Sequence, residues 1–332
     1  MIYNNIIDLH GVSELECTAD GVFSTMRLPT SVYESLGDQG KSQCKTCTGV
    51  EYRFVINSGD VKFRFKYPED AKGEITVFYG EFVADWPETT KYLSGECEIK
   101  IVKDTNHELM KKLAKQRGHR FSPDVVRLLF RGVRPQIVEY SGDISLPSED
   151  MLPKKKYLAY GSSITHGSIP LHSYYNYVER VAANLGADVT NYGLAGAACL
   201  EKEVADFIAD KCEFDFATLE MGINILGMDP AEFEGRVRYM VERIAKAHPN
   251  SKIFAIDVYY CKDDIIGGGA AERFREIVKR VVEELALPNV VYVNGTTVLT
   301  QSGGLATGLV HPDPEGIREM TDNLTEIIKK NI

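Results

Sequence analysis

Four short stretches of this chain carry side chains that could together perform acyl-transfer chemistry. In YLAYGSSITHGS, residues 157–168, an apolar run opens onto Gly161, Ser162, Ser163, Ile164 and Thr165. Downstream stand Asn191-Tyr192-Gly193-Leu194-Ala195-Gly196, then Glu220-Met221-Gly222-Ile223-Asn224, and finally GLVHPDPEG with His311. Taken singly, each has an ordinary explanation. A Gly-Ser pair closes a turn, a glycine-rich loop makes a tight connection or a phosphate cradle, an asparagine caps or turns, and a lone histidine is structural. Taken together they supply a hydroxyl, a glycine N–H, a carboxamide and an imidazole. Those are the parts of a serine hydrolase: nucleophile, two oxyanion donors and a base. A serine hydroxyl is a poor nucleophile near neutral pH, so it needs that base within hydrogen-bond reach.

Such groups act only if the fold brings them to one place. From about residue 151 the chain alternates strand and helix. Apolar runs at 157–160, 188–192, 214–221, 252–259 and 289–293 predict strands, and helical patterns fill 173–185, 200–210, 230–247, 270–286 and 315–330. The third helix is well marked: Asp229 is its N-cap, Pro230 its first residue and Glu232 a capping partner, with Phe233, Val237, Met240, Val241 and Ile244 on one face. Strand–helix repetition with short loops means parallel strands and right-handed crossovers. In an open sheet of this kind ligands bind outside the carboxyl ends of the strands, where three of the four stretches fall; His311 lies in the loop before the last helix.

The first part of the chain has period two. Val61-Lys62-Phe63-Arg64-Phe65-Lys66-Tyr67 alternates apolar and basic residues, as a strand with one wet face does. Further strands are expected at 49–56, 74–83 and 92–103, separated by Asn57-Ser58-Gly59-Asp60 and Pro68-Glu69-Asp70, with one helix near 105–117 ending at Gly118. Several such strands in series predict an antiparallel β-sandwich. Residues 143–156, with Pro147, Pro153 and three lysines, read as the linker, which divides the chain into 1–150 and 151–332.

The four stretches resemble, in order, the motifs of the GDSL, or SGNH, hydrolases. Gly161-Ser162-Ser163-Ile164-Thr165 is similar to the family's G-D-S-x-T block, which makes Ser163 the nucleophile and leaves Ser162 as a supporting residue where many relatives have Asp. Asn191 through Gly196 resembles N-x-x-x-x-G, so Gly196 would give an oxyanion N–H. Gly222-Ile223-Asn224 matches G-x-N, so Asn224 would give a side-chain oxyanion donor, and His311-Pro312 with Gly316 resembles H-P-x-x-x-G, with His311 as base. The resemblance covers about 155–330. It implies a three-layer, flavodoxin-like α/β domain with a five-stranded parallel sheet. The preceding sandwich (jelly-roll-like) and the stretch GHRFSPDVVRLLFRG resemble one branch of that family, which has G-S-S-I-T and includes carbohydrate deacetylases.

The pattern breaks at one point. The family places an Asp three residues before the histidine, and here that residue is Gly308. Three readings compete: a Ser–His dyad with a backbone carbonyl on Nδ1, an acid displaced to Asp257 or Asp313, or an impaired copy. Asp313, followed by Pro314, also reads as the N-cap of the last helix. Disabling the orienting acid of a serine-protease triad costs roughly 10⁴-fold, yet activity survives; a dyad or a weakened enzyme is therefore favoured over a dead one.

Composition narrows the rest. The chain has 332 residues, 44% hydrophobic and 26% charged, with a formal charge of -10: enough for two domains, and acidic enough to repel phosphate backbones and anionic lipid. No apolar run approaches the roughly 18 residues that span a bilayer. MIYNNIIDLHGVSE has neither the basic nor the apolar region of a secretory signal, so a cytoplasmic location is expected. The seven scattered cysteines read as reduced thiols, and Cys44-Lys45-Thr46-Cys47, running into a strand, as a turn and not a redox or zinc site. No Asp/His cluster suggests a catalytic metal, and no cofactor is expected. Trp86 is a core aromatic or a sugar-stacking platform, and His166 and His172 flank the nucleophile loop where they could touch substrate. The expected partner is a small-molecule acyl ester, an acetylated sugar by the family resemblance. The alternatives are an acyltransferase using the same acyl-enzyme and a non-catalytic sugar-binding protein.

Overall fold

The structure is a computed structural model that describes residues 1–17, 22–85, 90–103, 105–168, 174–301 and 303–332. Five strands, Lys155–Gly161, Ala187–Gly193, Phe216–Glu220, Lys252–Ile256 and Val290–Val293, pair in parallel in the spatial order second, first, third, fourth, fifth. The switch in order lies between the first and third strands, the place where open α/β sheets bind ligands. Alternation along each strand builds the two outer layers. Leu158, Tyr160, Ala217, Leu219, Ile253 and Ala255 face one side, against helices Lys202–Lys211, Pro230–Ala247 and Ala270–Leu285. Tyr157, Ala159, Phe216, Phe254 and Ile256 face the other, against Tyr177–Leu185 and Pro314–Lys329. This is the expected three-layer α/β architecture.

Helix Pro230–Ala247 starts as its residues dictate. Asp229 accepts hydrogen bonds from the N–H groups of Ala231 and Glu232, Pro230 occupies the first turn, and Phe233, Val237, Met240, Val241 and Ile244 are buried.

Before residue 150 the strands of the described residues are antiparallel and join one eleven-stranded sheet. Their inward side chains, among them Tyr52, Phe54, Phe63, Phe65 and Phe130, form an apolar core of their own. Several details differ from expectation. Asn57-Ser58-Gly59-Asp60 does not separate two strands. Glu51–Lys66 runs through it as one strand of 16 residues, with Gly59 at φ 68 and register shifts against strand Gln136–Ser145; the turn-forming residues are absorbed as a bulge. Conversely, the stretch 92–103 splits into Thr90–Ser94 and Glu96–Ile101 about Gly95. Two short helices, Thr30–Ser35 and Asp38–Cys44, were not expected at all. Leu28, Val32, Leu36 and Cys44 from this segment are buried in the parallel-sheet core and not in the antiparallel one.

Buried charge also ties the two sheets together. Nη1 and Nη2 of Arg53 both donate to Asp188 on the second parallel strand at 2.7 Å, its Nε donates to Glu51 at 2.6 Å, and Arg127 donates to the same Glu51. Such bidentate geometry gives the strongest class of hydrogen bond. Burial works against charge on Asp188, but Arg53 and His10 outweigh it and hold its pKa at about 2.

All seven cysteines are free of disulfides. Cys44 and Cys47 are buried, and burial pushes the Cys47 thiol up to about 12, the reverse of what a redox pair requires. No helix among the described residues is long and apolar enough to cross a membrane.

Candidate active site

The first parallel strand ends at Gly161 and the chain turns at once into a single helical turn, Ser163–His166, with Ser162 as its N-cap. The turn is tight because Gly161 has no side chain: a Cβ there would lie 2.3 Å from Glu220 Oε2 and 2.4 Å from Thr165 Oγ1. The two serines point to different partners. Ser162 Oγ donates to Glu220 Oε1 at 2.6 Å. Ser163 Oγ lies 2.8 Å from His311 Nε2. That distance is normal for a nucleophile and its general base, although the two residues are 148 positions apart. Burial lowers the His311 pKa, which favours the neutral ring that can accept a proton.

The second strand delivers Gly196 on a turn. Ala197 N–H bonds to Leu194 O at 3.0 Å, and Gly196 has φ 69. A positive φ at the third residue and not at the second is the pattern of a type II turn and favours glycine there. Gly196 is exposed, and among the described residues its N–H bonds to no group of the protein. The third strand delivers Asn224 through Gly222, whose φ of 115 no residue with a side chain adopts comfortably. Asn224 Oδ1 accepts from Ala198 N–H at 3.0 Å. That bond turns the amide so that its oxygen is occupied and its Nδ2 is left to donate.

Residues 159–318 match the GDSL-like Lipase/Acylhydrolase family. This stretch is a GDSL-like lipase/acylhydrolase domain. No curated protein matched the sequence. Solved structures of similar fold extend over nearly the whole chain. The salicylyl-acyltransferase SsfX3 from a tetracycline biosynthetic pathway is 17% identical, with TM-score 0.72, covering 98% of this chain and 94% of that one. An active-site mutant of a family two carbohydrate esterase from Clostridium thermocellum is 13% identical, with TM-score 0.65 and 98% of both chains covered. An acetyl xylan esterase, Est2A, from the rumen bacterium Butyrivibrio proteoclasticus is 10% identical, with TM-score 0.59, covering 99% and 96%. At these identities the likeness establishes the fold, including an antiparallel part ahead of the GDSL domain.

Among the described residues of this GDSL domain, no acid stands on the histidine. Among the described residues, no carboxylate oxygen lies within 4 Å of either His311 ring nitrogen. Asp257 and Asp313, the two candidates for a displaced acid, are engaged elsewhere. Asp257 is buried, accepting from Tyr292 OH at 2.5 Å and Gly295 N–H at 2.6 Å; burial pushes its pKa up to about 6. Asp313 caps the last helix, accepting from Glu315 and Gly316 N–H, both at 2.9 Å. Gly308 is exposed, with no atom within 4 Å of the place a Cβ would take.

Two expectations about histidines are corrected or left aside. His166 is turned inward, away from the surface of the nucleophile loop. It is buried, with Nε2 3.1 Å from both Thr46 Oγ1 and Thr48 Oγ1, and burial, helped by Arg27, pushes its pKa down to about 3. His172 and Trp86 lie outside the described residues.

Sequence reasoning missed the groups that hold the site from behind. Glu220, fully buried, accepts from Ser162 N–H at 2.7 Å, Ser162 Oγ at 2.6 Å and Thr165 Oγ1 at 2.7 Å. Burial raises its pKa while these bonds oppose the rise. An acid ending the otherwise apolar strand Phe216–Glu220 was a readable signal, since a buried carboxylate needs such donors. Arg27 had no comparable signal. Its Nη1 donates to the carbonyls of Asn191 and Gly193, both at 3.0 Å, bracing the strand end that leads to Gly196. An open cleft of about 830 Å³ lies apart from the site, between residues 11–13 and 29–32 and the helix Lys202–Lys211, and touches none of these groups.

Proposed function

We propose that this chain is a serine esterase that hydrolyses small O-acyl esters, acetyl foremost, on a carbohydrate. The 2.8 Å contact between Ser163 Oγ and His311 Nε2 carries this reading. In the proposed cycle His311 accepts the proton as Ser163 Oγ attacks the ester carbonyl. The N–H groups of Ser163 and Gly196 and the Asn224 amide stabilise the oxyanion, the term that usually lowers the barrier most. His311 then protonates the departing alcohol. Water, deprotonated by His311, attacks the acyl-enzyme and releases the acid and the free serine. With no carboxylate on the ring, the imidazolium formed in each step is held by position alone, and turnover is expected to be slow for a serine hydrolase.

The small acyl group is supported by the likeness in fold to an acetyl xylan esterase. The carbohydrate is supported by the likeness in fold to a family two carbohydrate esterase and an acetyl xylan esterase. A second reading, acyl transfer to an alcohol from the same acyl-enzyme, is supported by the likeness to a salicylyl-acyltransferase along 98% of this chain.

The test compares wild type with Ser163→Ala on 4-nitrophenyl acetate, then measures acetate release from a panel of acetylated sugars with and without added acceptor alcohols. Equal rates for the two proteins would sink the esterase reading and leave a sugar-binding protein. Acetyl transfer outpacing acetate release would favour the acyltransferase.

A further inference from the structure

The oxyanion donor assigned to Gly196 sits on a peptide that could point either way. Type II and type I turns differ mainly by a half-rotation of the peptide joining the two central residues, here the one between Ala195 and Gly196. The rotation reverses the N–H, and glycine tolerates both forms. Gly196 by itself therefore does not choose the orientation that serves catalysis.

A residue from the other end of the chain does. Gln39, exposed on the short helix Asp38–Cys44, donates from Nε2 to Ala195 O at 3.1 Å across 156 positions of sequence. Its side chain also lies over Gly196, where a Cβ would be 3.4 Å from Gln39 Nε2. Ala195 C=O and Gly196 N–H belong to one planar trans peptide, so they point in opposite directions. Holding the carbonyl fixes the N–H. A bond donated to the carbonyl also polarises the peptide and strengthens its N–H as a donor. The helix is anchored for the task, with Leu36 and Cys44 at its flanks buried in the parallel-sheet core.

We infer that Gln39 is a positioning residue for the oxyanion hole: it locks the Ala195–Gly196 peptide with the Gly196 N–H directed at the reacting carbonyl. The segment between the antiparallel strands Phe23–Met26 and Glu51–Lys66 is then part of the catalytic unit. This inference rests on the esterase reading above. It also predicts where the effect falls. A flipped peptide weakens the transition state and leaves ground-state binding nearly untouched, so the loss belongs in kcat.

The experiment measures kcat and KM on 4-nitrophenyl acetate for the full chain as wild type, Gln39→Ala, Gln39→Leu, Gln39→Lys and Ser163→Ala, with thermal midpoints alongside. One exposed hydrogen bond should shift kcat by roughly 3- to 10-fold. Ala and Leu should lose that factor with KM within about twofold of wild type, while Lys, which restores a donor, should recover most of it. The inference is overturned by an unchanged kcat in Gln39→Ala, by a loss confined to KM, or by Gln39→Lys as slow as Gln39→Ala. In each of these outcomes an inactive Ser163→Ala leaves the esterase reading standing. A fully active Ser163→Ala removes both.

Discussion

Gly308→Asp should make this enzyme faster, and the structure indicates by how much. Position 308 stands three residues before His311, is exposed, and has no atom within 4 Å of a new Cβ. Its backbone is not in the left-handed region; the strained neighbour is Leu309, at φ 53, so aspartate at 308 brings no conformational penalty of that kind. The ring is half-buried and its Nδ1 side has no carboxylate within 4 Å among the described residues. Two unit charges 4 Å apart interact by about 1 kcal/mol in water and about 4 kcal/mol at an effective dielectric of 20. A half-buried ring beside an exposed carboxylate falls near the lower end, about 1.4 kcal/mol. That corresponds to about one pKa unit on His311 and, if the imidazolium of the transition state feels the same field, about tenfold in kcat. The assay is a pH–rate profile of 4-nitrophenyl acetate hydrolysis. In wild type, burial lowers the His311 pKa, so the acid limb of kcat/KM should fall below the ordinary imidazole value near 6.5. In the variant it should move up by about one unit while the plateau rises. An unmoved limb and an unchanged plateau, in a protein with the wild-type thermal midpoint, would refute the idea that 308 is the empty acid position.

Other outcomes follow from the same contacts. Asn224→Ala removes a proposed oxyanion donor and should lower kcat by roughly 10²–10³-fold; a loss below about fivefold would remove Asn224 from that role. Glu220→Ala strands three donors, from Ser162 and Thr165, and should destabilise the fold by about 3 kcal/mol or more, read as a lower urea midpoint; an unshifted midpoint counts against its bracing role. The depressed Asp188 pKa, about 2 against an unfolded value near 3.9, contributes stability that is complete above about pH 4 and is lost as pH falls toward 2. Asp188→Asn should cost about 3–5 kcal/mol at neutral pH, as loss of one partner of a buried pair does, and should flatten the acid slope between pH 4 and 2; an identical slope in both proteins would place the acid sensitivity elsewhere.

Much of the α/β half was legible because its signals are local. Apolar alternation marked the strands, Asp229-Pro230 and Asp313-Pro314 marked helix starts, and the glycines at 161, 196 and 222 stand where a turn or a close approach allows no side chain. The resemblance of Gly161–Thr165 and of His311, Pro312 and Gly316 to the GDSL motifs also singled out the serine and histidine that meet at 2.8 Å. The antiparallel half was less legible. Asn57-Ser58-Gly59-Asp60 has turn chemistry, and only pairing with strand Gln136–Ser145 makes it a bulge within one long strand.

What the sequence determined by itself, then, was the set of chemical groups and the element on which each rides, because propensity, capping and period-two or helical patterning act over a few residues. What tertiary structure decided was which groups face each other. Ser162 turns to Glu220 while Ser163 turns to His311. Asp257 and Asp313 are taken up by Gly295 and by a helix end, and Arg27 and Gln39 reach the second strand and its loop from more than 150 positions away. Those choices depend on packing between segments remote in sequence, where no local pattern records the partner.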